Sequence, residues 1–190
     1  MIKYVSDLHL GHSKILESRT QFQTVEEMDA YLIEQWNMHV DKDDEVWILG
    51  DLSFRAKGNV EDYLKQLAGK KHLLIGNHDT TWMKKVDLSK YFETVSHMEV
   101  IRDGKRRITL CHYPMMEWSG SRYSVYSLEE GVSWLIHGHL HDSRNSKAYQ
   151  EIVRNIPCAL NCGVDLNGYH PVSFEELFEN NAKFYGKNLL

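Results

Sequence analysis

Five short patches carry nitrogen and oxygen donors of the kinds that hold metal ions. They are Asp7-Leu8-His9, Gly50-Asp51, Gly76-Asn77-His78-Asp79, Cys111-His112 and Gly138-His139-Leu140-His141. Each alone is weak: Asp-x-His arises by chance, and Gly-Asp after an apolar run is ordinarily a turn. A single histidine at a strand end is more often a satisfied polar residue than a ligand. The combination differs, because nearly every donor follows directly on an apolar, β-prone run. Donors clustered and partly buried without partners are costly, and two cations sharing one carboxylate would neutralise them. Asp51 is the residue placed to be shared. Val46-Trp47-Ile48-Leu49 reads as a buried parallel strand that stops abruptly at Gly50-Asp51.

The elements that must position these donors follow from periodicity and caps. Met1 to Val5 reads as a first strand. Thr24 is an N-cap, with Glu27 completing a capping box ahead of an apolar stripe at Val25, Met28, Leu32 and Trp36. The Asp51 strand follows, then a helix over Asn59 to Leu67 and a strand over Lys71 to Ile75. This order gives βαβ units, whose strands deliver their carboxyl ends to one edge. The texture then changes. Phe92 to Ile101 and Arg106 to Cys111 flank an Asp103-Gly104 hairpin signal. An irregular aromatic segment runs from Tyr113 to Leu128, and Val132 to Ile136 is a short strand. Ile152 to Asn161 has room for one or two more, and Ser173 caps a last helix through Phe178. The pattern predicts an α/β fold with mixed sheets in one domain over residues 1–190.

Bulk properties narrow the function classes. With 190 residues and a net charge of -5, the chain lacks the basic footprint of a protein that grips polymeric nucleic acid. No apolar run reaches the ~20 residues needed to span a membrane. A start that enters a strand at once, without a signal-like segment, points to the cytoplasm. Cys111, Cys158 and Cys162 form no C-x-x-C pair and read as small, reduced core residues.

Asp-x-His, Gly-Asp, Gly-Asn-His-Asp, a lone His and Gly-x-His, in that order over positions 7 to 141, resemble the calcineurin-like metallophosphoesterase superfamily. The likeness is closest to its small single-domain members. It implies a four-layer sandwich of two mixed β-sheets flanked by helices, with two metals at one edge. The first metal would be held by Asp7, His9, Asp51 and His141, the second by Asp51, Asn77, His112 and His139. His78 matches the catalytic histidine, and Asp79 would orient it, or cap a helix start before Thr80 and Trp82, or do both. Mixed imidazole, carboxylate and amide donors suit Mn, Fe, Zn or Ni. The implied reaction is hydrolysis of a phosphomonoester or phosphodiester by hydroxide generated between the two cations. The implied partner is a small phosphorylated substrate, with nucleotides among the candidates.

Further residues stay open between two readings. Asn77, His12 and Arg55 are candidate substrate contacts, and Lys57 competes with Arg55, whose planar fork suits phosphate better. His12 serves equally as a surface residue, and both cations as solvated loop charges. Many relatives carry an acidic residue where Phe54 stands. His137 reads as a packing residue. Tyr113, Trp118, Arg122, Tyr123 and Tyr126 could form a lid or stack a ring. Asn161 to Asp165 reads as structural. Two alternatives to the small-substrate hydrolase are a nuclease on polymeric nucleic acid and a silent scaffold of the same fold. Exposed Trp and Tyr would leave room for a homo-oligomer.

Overall fold

The apolar run ending at Asp51 lacks polar alternation because both of its faces are covered. The computed structural model describes residues 1–124, 133–142, 147–156 and 158–186. In it this run is β2 (Glu45–Ile48), lying between β1 (Ile2–Val5) and β3 (Lys70–Leu74). With β4 (Thr94–Ser96) they make a four-stranded sheet in which every neighbouring pair is parallel. Val5, Val46, Ile48 and Leu73 pack against Met28, Leu32 and Trp36 of α1 (Val25–His39) and Val60 and Leu64 of α2 (Val60–Leu64). Tyr4, Trp47, Leu49 and Leu74 enter a second core shared with the second sheet.

That sheet contains β5 (Met98–Asp103), β6 (Arg106–Cys111), β7 (Ser133–His137) and β8 (Ala159–Asn161) in this order. The β5–β6 pair is antiparallel and the other two pairs are parallel, so the sheet is mixed. Gly104, at φ +58, turns the expected hairpin, and Asp103 faces Arg106 across it. The single strand expected over 92–101 is broken at His97. Ser96 pairs with Leu74 in the first sheet, whereas Met98 pairs with Cys111 in the second, and no straight strand can do both. Ile108, Leu110, Trp134, Ile136 and Leu160 meet the first sheet's residues in the shared core.

The helices differ from expectation mostly in length. Thr24 Oγ1 accepts the Glu27 N–H at 3.1 Å, while the Glu27 carboxylate reaches the N–H of Gln23, one residue before the cap. α2 ends at Leu64, although Leu67 is still buried in the first core. α3 is a single turn (Ser121–Ser124). The stretch over 152–161, expected to hold one or two strands, holds one, β8, after the end of α4 (Lys147–Asn155). α5 (Phe174–Tyr185) continues past Phe178 to a left-handed cap at Gly186, and Ser173 with Glu176 forms its capping box. No helix among the described residues is long and apolar enough to cross a membrane.

The two sheets join where the donors emerge. Just past β1 and β8, Ser6 N–H donates to the Cys162 carbonyl at 3.0 Å and Val164 N–H to the Ser6 carbonyl at 3.1 Å. Asp7 N–H reaches Gly50 O and His9 N–H reaches Asp51 O, both at 3.0 Å. The carboxyl ends of β1, β2, β3, β6, β7 and β8 therefore supply one continuous edge.

Candidate metal centre

At that edge the backbone itself is unusual. Asp7 (φ 59), His9 (54), Asp51 (55), His139 (71) and His141 (49) all sit in the left-handed region. Such conformations cost about 1–3 kcal/mol each for residues other than glycine, and persist where surrounding structure over-determines them. Five of the seven expected ligands are thus turned out of the strand direction so that their side chains converge. Gly50, at φ +85, allows a close approach: a Cβ there would stand 2.6 Å from His112 Nδ1. A side chain at position 50 would displace that imidazole.

Two groups of donors result. Asp7, His9 and His141 form one, and Asp51, His112 and His139 the other, with the ligand atoms of each within 4.8 Å of one another. Asp7 Oδ2 accepts the Ser6 hydroxyl at 2.6 Å and the His139 N–H at 2.9 Å. Its other oxygen, Oδ1, is buried, has no hydrogen-bond partner among the described residues, and lies 3.7 Å from His141 Nε2. His9 Nε2 lies 3.2 Å from His141 Nε2. Asp51 Oδ1 accepts the His78 N–H at 2.9 Å, which leaves Oδ2 facing inward. Asp51 Oδ2 stands 3.8 Å from His9 Nε2 and 3.6 Å from His112 Nε2, between the two groups. Asn77 Oδ1 joins the second group, 3.0 Å from His112 Nε2.

Hydrogen bonds behind the rings set their tautomers. His112 Nδ1 donates to the Leu49 carbonyl at 2.7 Å and His141 Nδ1 to Asp165 Oδ2 at 2.8 Å. Each bond keeps the proton on Nδ1 and turns the Nε2 lone pair inward, as a metal ligand requires. Burial, with the charges of His141 and Arg19, holds His9 far below the ordinary imidazole range, so it too is a neutral donor. Burial pushes Asp51 up to about 6. The donor set fits divalent transition ions: an unpartnered buried carboxylate oxygen, inward lone pairs and an amide oxygen converge. Two nitrogens bound at about 2.1 Å to one cation stand roughly 3.0–3.4 Å apart, and the His9–His141 spacing falls in that interval.

Beyond the donors, the expected site residues separate. His78 lies on the solvent side, its Nε2 3.9 Å from Asp51 Oδ2. Burial lowers its pKa, and the Asp79 charge opposes that shift. Asp79 was expected to orient this ring, but its hydrogen bonds go elsewhere. Its two oxygens accept the N–H groups of Asp51 (2.8 Å), Leu52 (3.0 Å) and Gly76 (2.8 Å) and the Trp82 indole N–H (2.9 Å). Four donors fill the carboxylate, so Asp79 pins the loops after β2 and β3 rather than the imidazole. His12 packs 5.3 Å from the His9 ring and edge-on to Phe54 at 4.8 Å. The Phe54 ring lies 3.9 Å from the His78 ring, and the Arg55 guanidinium lies 4.9 Å from the Phe54 ring centroid. His12 and Arg55 thus reach the rim of the site. Tyr113 packs against His112 and His139, whereas Trp118 is buried in the second core. Tyr126 lies outside the described residues.

Two residues that matter were not singled out as functional from sequence. Arg19, 1% exposed, donates through Nε to Asp165 Oδ1 (2.8 Å) and through its other nitrogens to the Leu8 (2.8 Å) and Asp7 (2.6 Å) carbonyls. Asp165, read as structural, connects this guanidinium to His141. Burial alone would raise Asp165, yet His141 and Arg19 together hold it well below the usual carboxylate range. Asp165 follows β8 as Asp7 follows β1, so the strand-end rule applied to β8 would have found it. Nothing local marks Arg19.

A family model described as the calcineurin-like phosphoesterase superfamily domain matches residues 1–163. The chain belongs to this superfamily. A gene 66 protein of Mycobacterium phage L5 is 36% identical over 157 residues, covering 73% of this chain and 76% of that protein. An uncharacterized protein of Methanocaldococcus jannaschii is 30% identical over 177 residues, 92% of this chain and 87% of its own length. Among solved structures, a protein of unknown function from Aquifex aeolicus aligns with a TM-score of 0.69 and 25% identity. That alignment covers 94% of this chain and 98% of the Aquifex chain. The calcineurin-like match holds every donor named above but stops two residues short of Asp165.

Proposed function

We propose that this protein hydrolyses a phosphate ester, with one divalent cation held by Asp7, His9, Asp51 and His141 and a second by Asp51, Asn77, His112 and His139. The observation that carries the reading is Asp51 Oδ2, placed between His9 Nε2 at 3.8 Å and His112 Nε2 at 3.6 Å. Bound there, the cations would lower the pKa of a water toward neutrality and neutralise phosphoryl oxygens. The chain's own contribution is position and proton supply. Arg19 and Asp165 fix the first group, Asp79 fixes the loop that carries Asp51, and Asn77 faces the same opening as His78. Water oxygen adds to phosphorus as the bond to the leaving oxygen breaks. Protonated at Nε2, His78 would pass its proton to that oxygen. The substrate class is a small phosphorylated molecule met in the cytoplasm. No observation favours polymeric nucleic acid or a silent scaffold over this reading.

Metal analysis of purified protein tests it, coupled to rates on aryl phosphate monoesters and diesters with added Mn²⁺. Asp51→Asn should lose metal together with activity. His78→Ala should keep its metal and turn over at least ~100-fold more slowly. Full metal content and rate in Asp51→Asn, or a wild-type chain that binds no Mn²⁺, overturns the proposal.

A further inference from the structure

Next to His78 the surface folds into a cavity of about 120 Å³ that none of the metal donors lines. Ordinary ligand pockets run to roughly 300–1,000 Å³, and a cavity of about 150 Å³ holds a benzene ring. This one therefore admits a single small group, not a nucleoside. Val60, Val86 and the Trp82 ring supply apolar walls, and Arg55 and Lys85 bring two cations to them. The Trp82 wall is fixed, since its indole N–H is bound by the buried Asp79 at 2.9 Å. Arg55 is held in a left-handed backbone conformation (φ 51) with its guanidinium over the Phe54 ring, and Phe54 in turn packs on His78. Neither Arg55 nor Lys85 takes part in an ion pair among the described residues. In a chain of net charge -5, two unpaired cations at one small apolar hollow next to the histidine need an account.

We propose that this hollow is a leaving-group subsite, which selects phosphate esters whose short leaving group ends in an anion such as a carboxylate or a second phosphate. The inference rests on the phosphoesterase reading, in which His78 stands at the leaving oxygen. A group attached to that oxygen extends from His78 into the hollow. Its carbon atoms meet Trp82, Val60 and Val86, and its terminal anion meets Arg55 and Lys85. Guanidinium is the better partner of the two, because its fork matches two carboxylate or phosphate oxygens at once. Asn77 and the donors that face the scissile phosphate are shared by all esters. The hollow is where esters differ.

Two non-hydrolysable probes separate the possibilities by equilibrium binding, so that turnover is not needed. Calorimetry on the Mn²⁺-loaded protein should show 3-phosphonopropanoate binding roughly tenfold more tightly than propylphosphonate, the scale of one charge-assisted hydrogen bond. In the Arg55→Ala/Lys85→Ala double variant the ratio of the two affinities should fall toward one. Lys57→Ala, which removes a nearby loop cation that does not line the hollow, should keep the ratio. Equal affinities in the wild type, no binding of either probe, or a ratio that survives in the double variant overturns the subsite. A ratio lost equally in Lys57→Ala also overturns it, because a diffuse positive field would then suffice. Hydrolysis of 3-phosphooxypropanoate, an ester with the favoured kind of leaving group, by the wild type is scored separately. If that fails while the binding ratio stands, the phosphoesterase reading is wrong and the anion subsite is not.

Discussion

Asp165→Asn is the most discriminating change the structure offers. The native carboxylate receives Arg19 Nε on Oδ1, and both His141 Nδ1 and Arg19 Nη2 on Oδ2. An amide of the same shape presents one oxygen and one NH₂. Arg19 donates to both oxygens and cannot give up a proton, so one of its bonds is lost either way; keeping the shorter, 2.8 Å rather than 3.3 Å, puts the oxygen on Nε and the NH₂ against His141. Two donors then face each other unless His141 moves its proton to Nε2 and accepts at Nδ1. That proton occupies the lone pair that would hold the first cation. Burial would by itself lower His141, yet Asp165 raises it, so the substitution also makes the ring a weaker base. Loss of such a supporting partner costs about 10- to 100-fold in metal affinity, or roughly 1.4–2.7 kcal/mol. His112 keeps its proton through the Leu49 carbonyl, which the change leaves untouched. A Mn²⁺ titration followed by calorimetry should therefore show two sites in the wild type. In Asp165→Asn one site should weaken by that factor while the other stays within about threefold. Thermal unfolding of the same samples checks that the fold survives. Two unaltered sites, or an equal loss at both, would refute the tautomer argument.

Two further outcomes follow from buried groups. Asp79→Ala leaves four donors without an acceptor, at about 1–3 kcal/mol for each one left buried, so a loss of at least ~3 kcal/mol is expected. For a chain of this size that lowers Tm by about 6–12 °C in a thermal scan. If Asp79 served mainly to orient His78, the variant would instead keep its Tm and change only the pH profile of the rate. In metal-free protein, the neutral His9 refuses a proton that the unfolded chain accepts below the ordinary histidine pKa of about 6.5. Stability should accordingly be present above that value and fall by about 1.4 kcal/mol per pH unit for this group as the pH drops below it. His9→Asn, which tolerates the left-handed backbone, should show a shallower slope in chemical denaturation at pH 7 and pH 5.5. An unchanged slope would exclude His9 as the source.

The sequence was most readable where chemistry and chain position coincide. A parallel strand buried on both faces must be a run of apolar residues, and its ligand can only follow its carboxyl end, so Asp7, Asp51, Asn77 and His112 announced themselves by what preceded them. Strand ends are local features, and one chain shows them. Partnership across the fold is not local. Phe92 to Ile101 reads as one strand because no Gly, Pro, Asn or Asp interrupts it, and only the pairing of Ser96 with Leu74 and of Met98 with Cys111 reveals two sheets. Asp79 sits beside His78 in sequence, which suggested that it serves that ring. Its oxygens are claimed instead by backbone groups, from Gly76 three positions away and from residues 51 and 52, at separations of 28 and 27 that no local pattern encodes. Arg19 is the extreme case. It is a lone arginine near the start of the chain that becomes fully buried only because Asp165, 146 positions later, arrives with a compensating charge. Without its partner, a buried guanidinium would be among the costliest groups in the molecule, and with it the same group ties the carbonyls of Asp7 and Leu8 to the ring of His141. The donors of the first group can therefore be read one at a time along the chain, but the geometry that makes them a group depends on a pair that neither half of the sequence discloses alone.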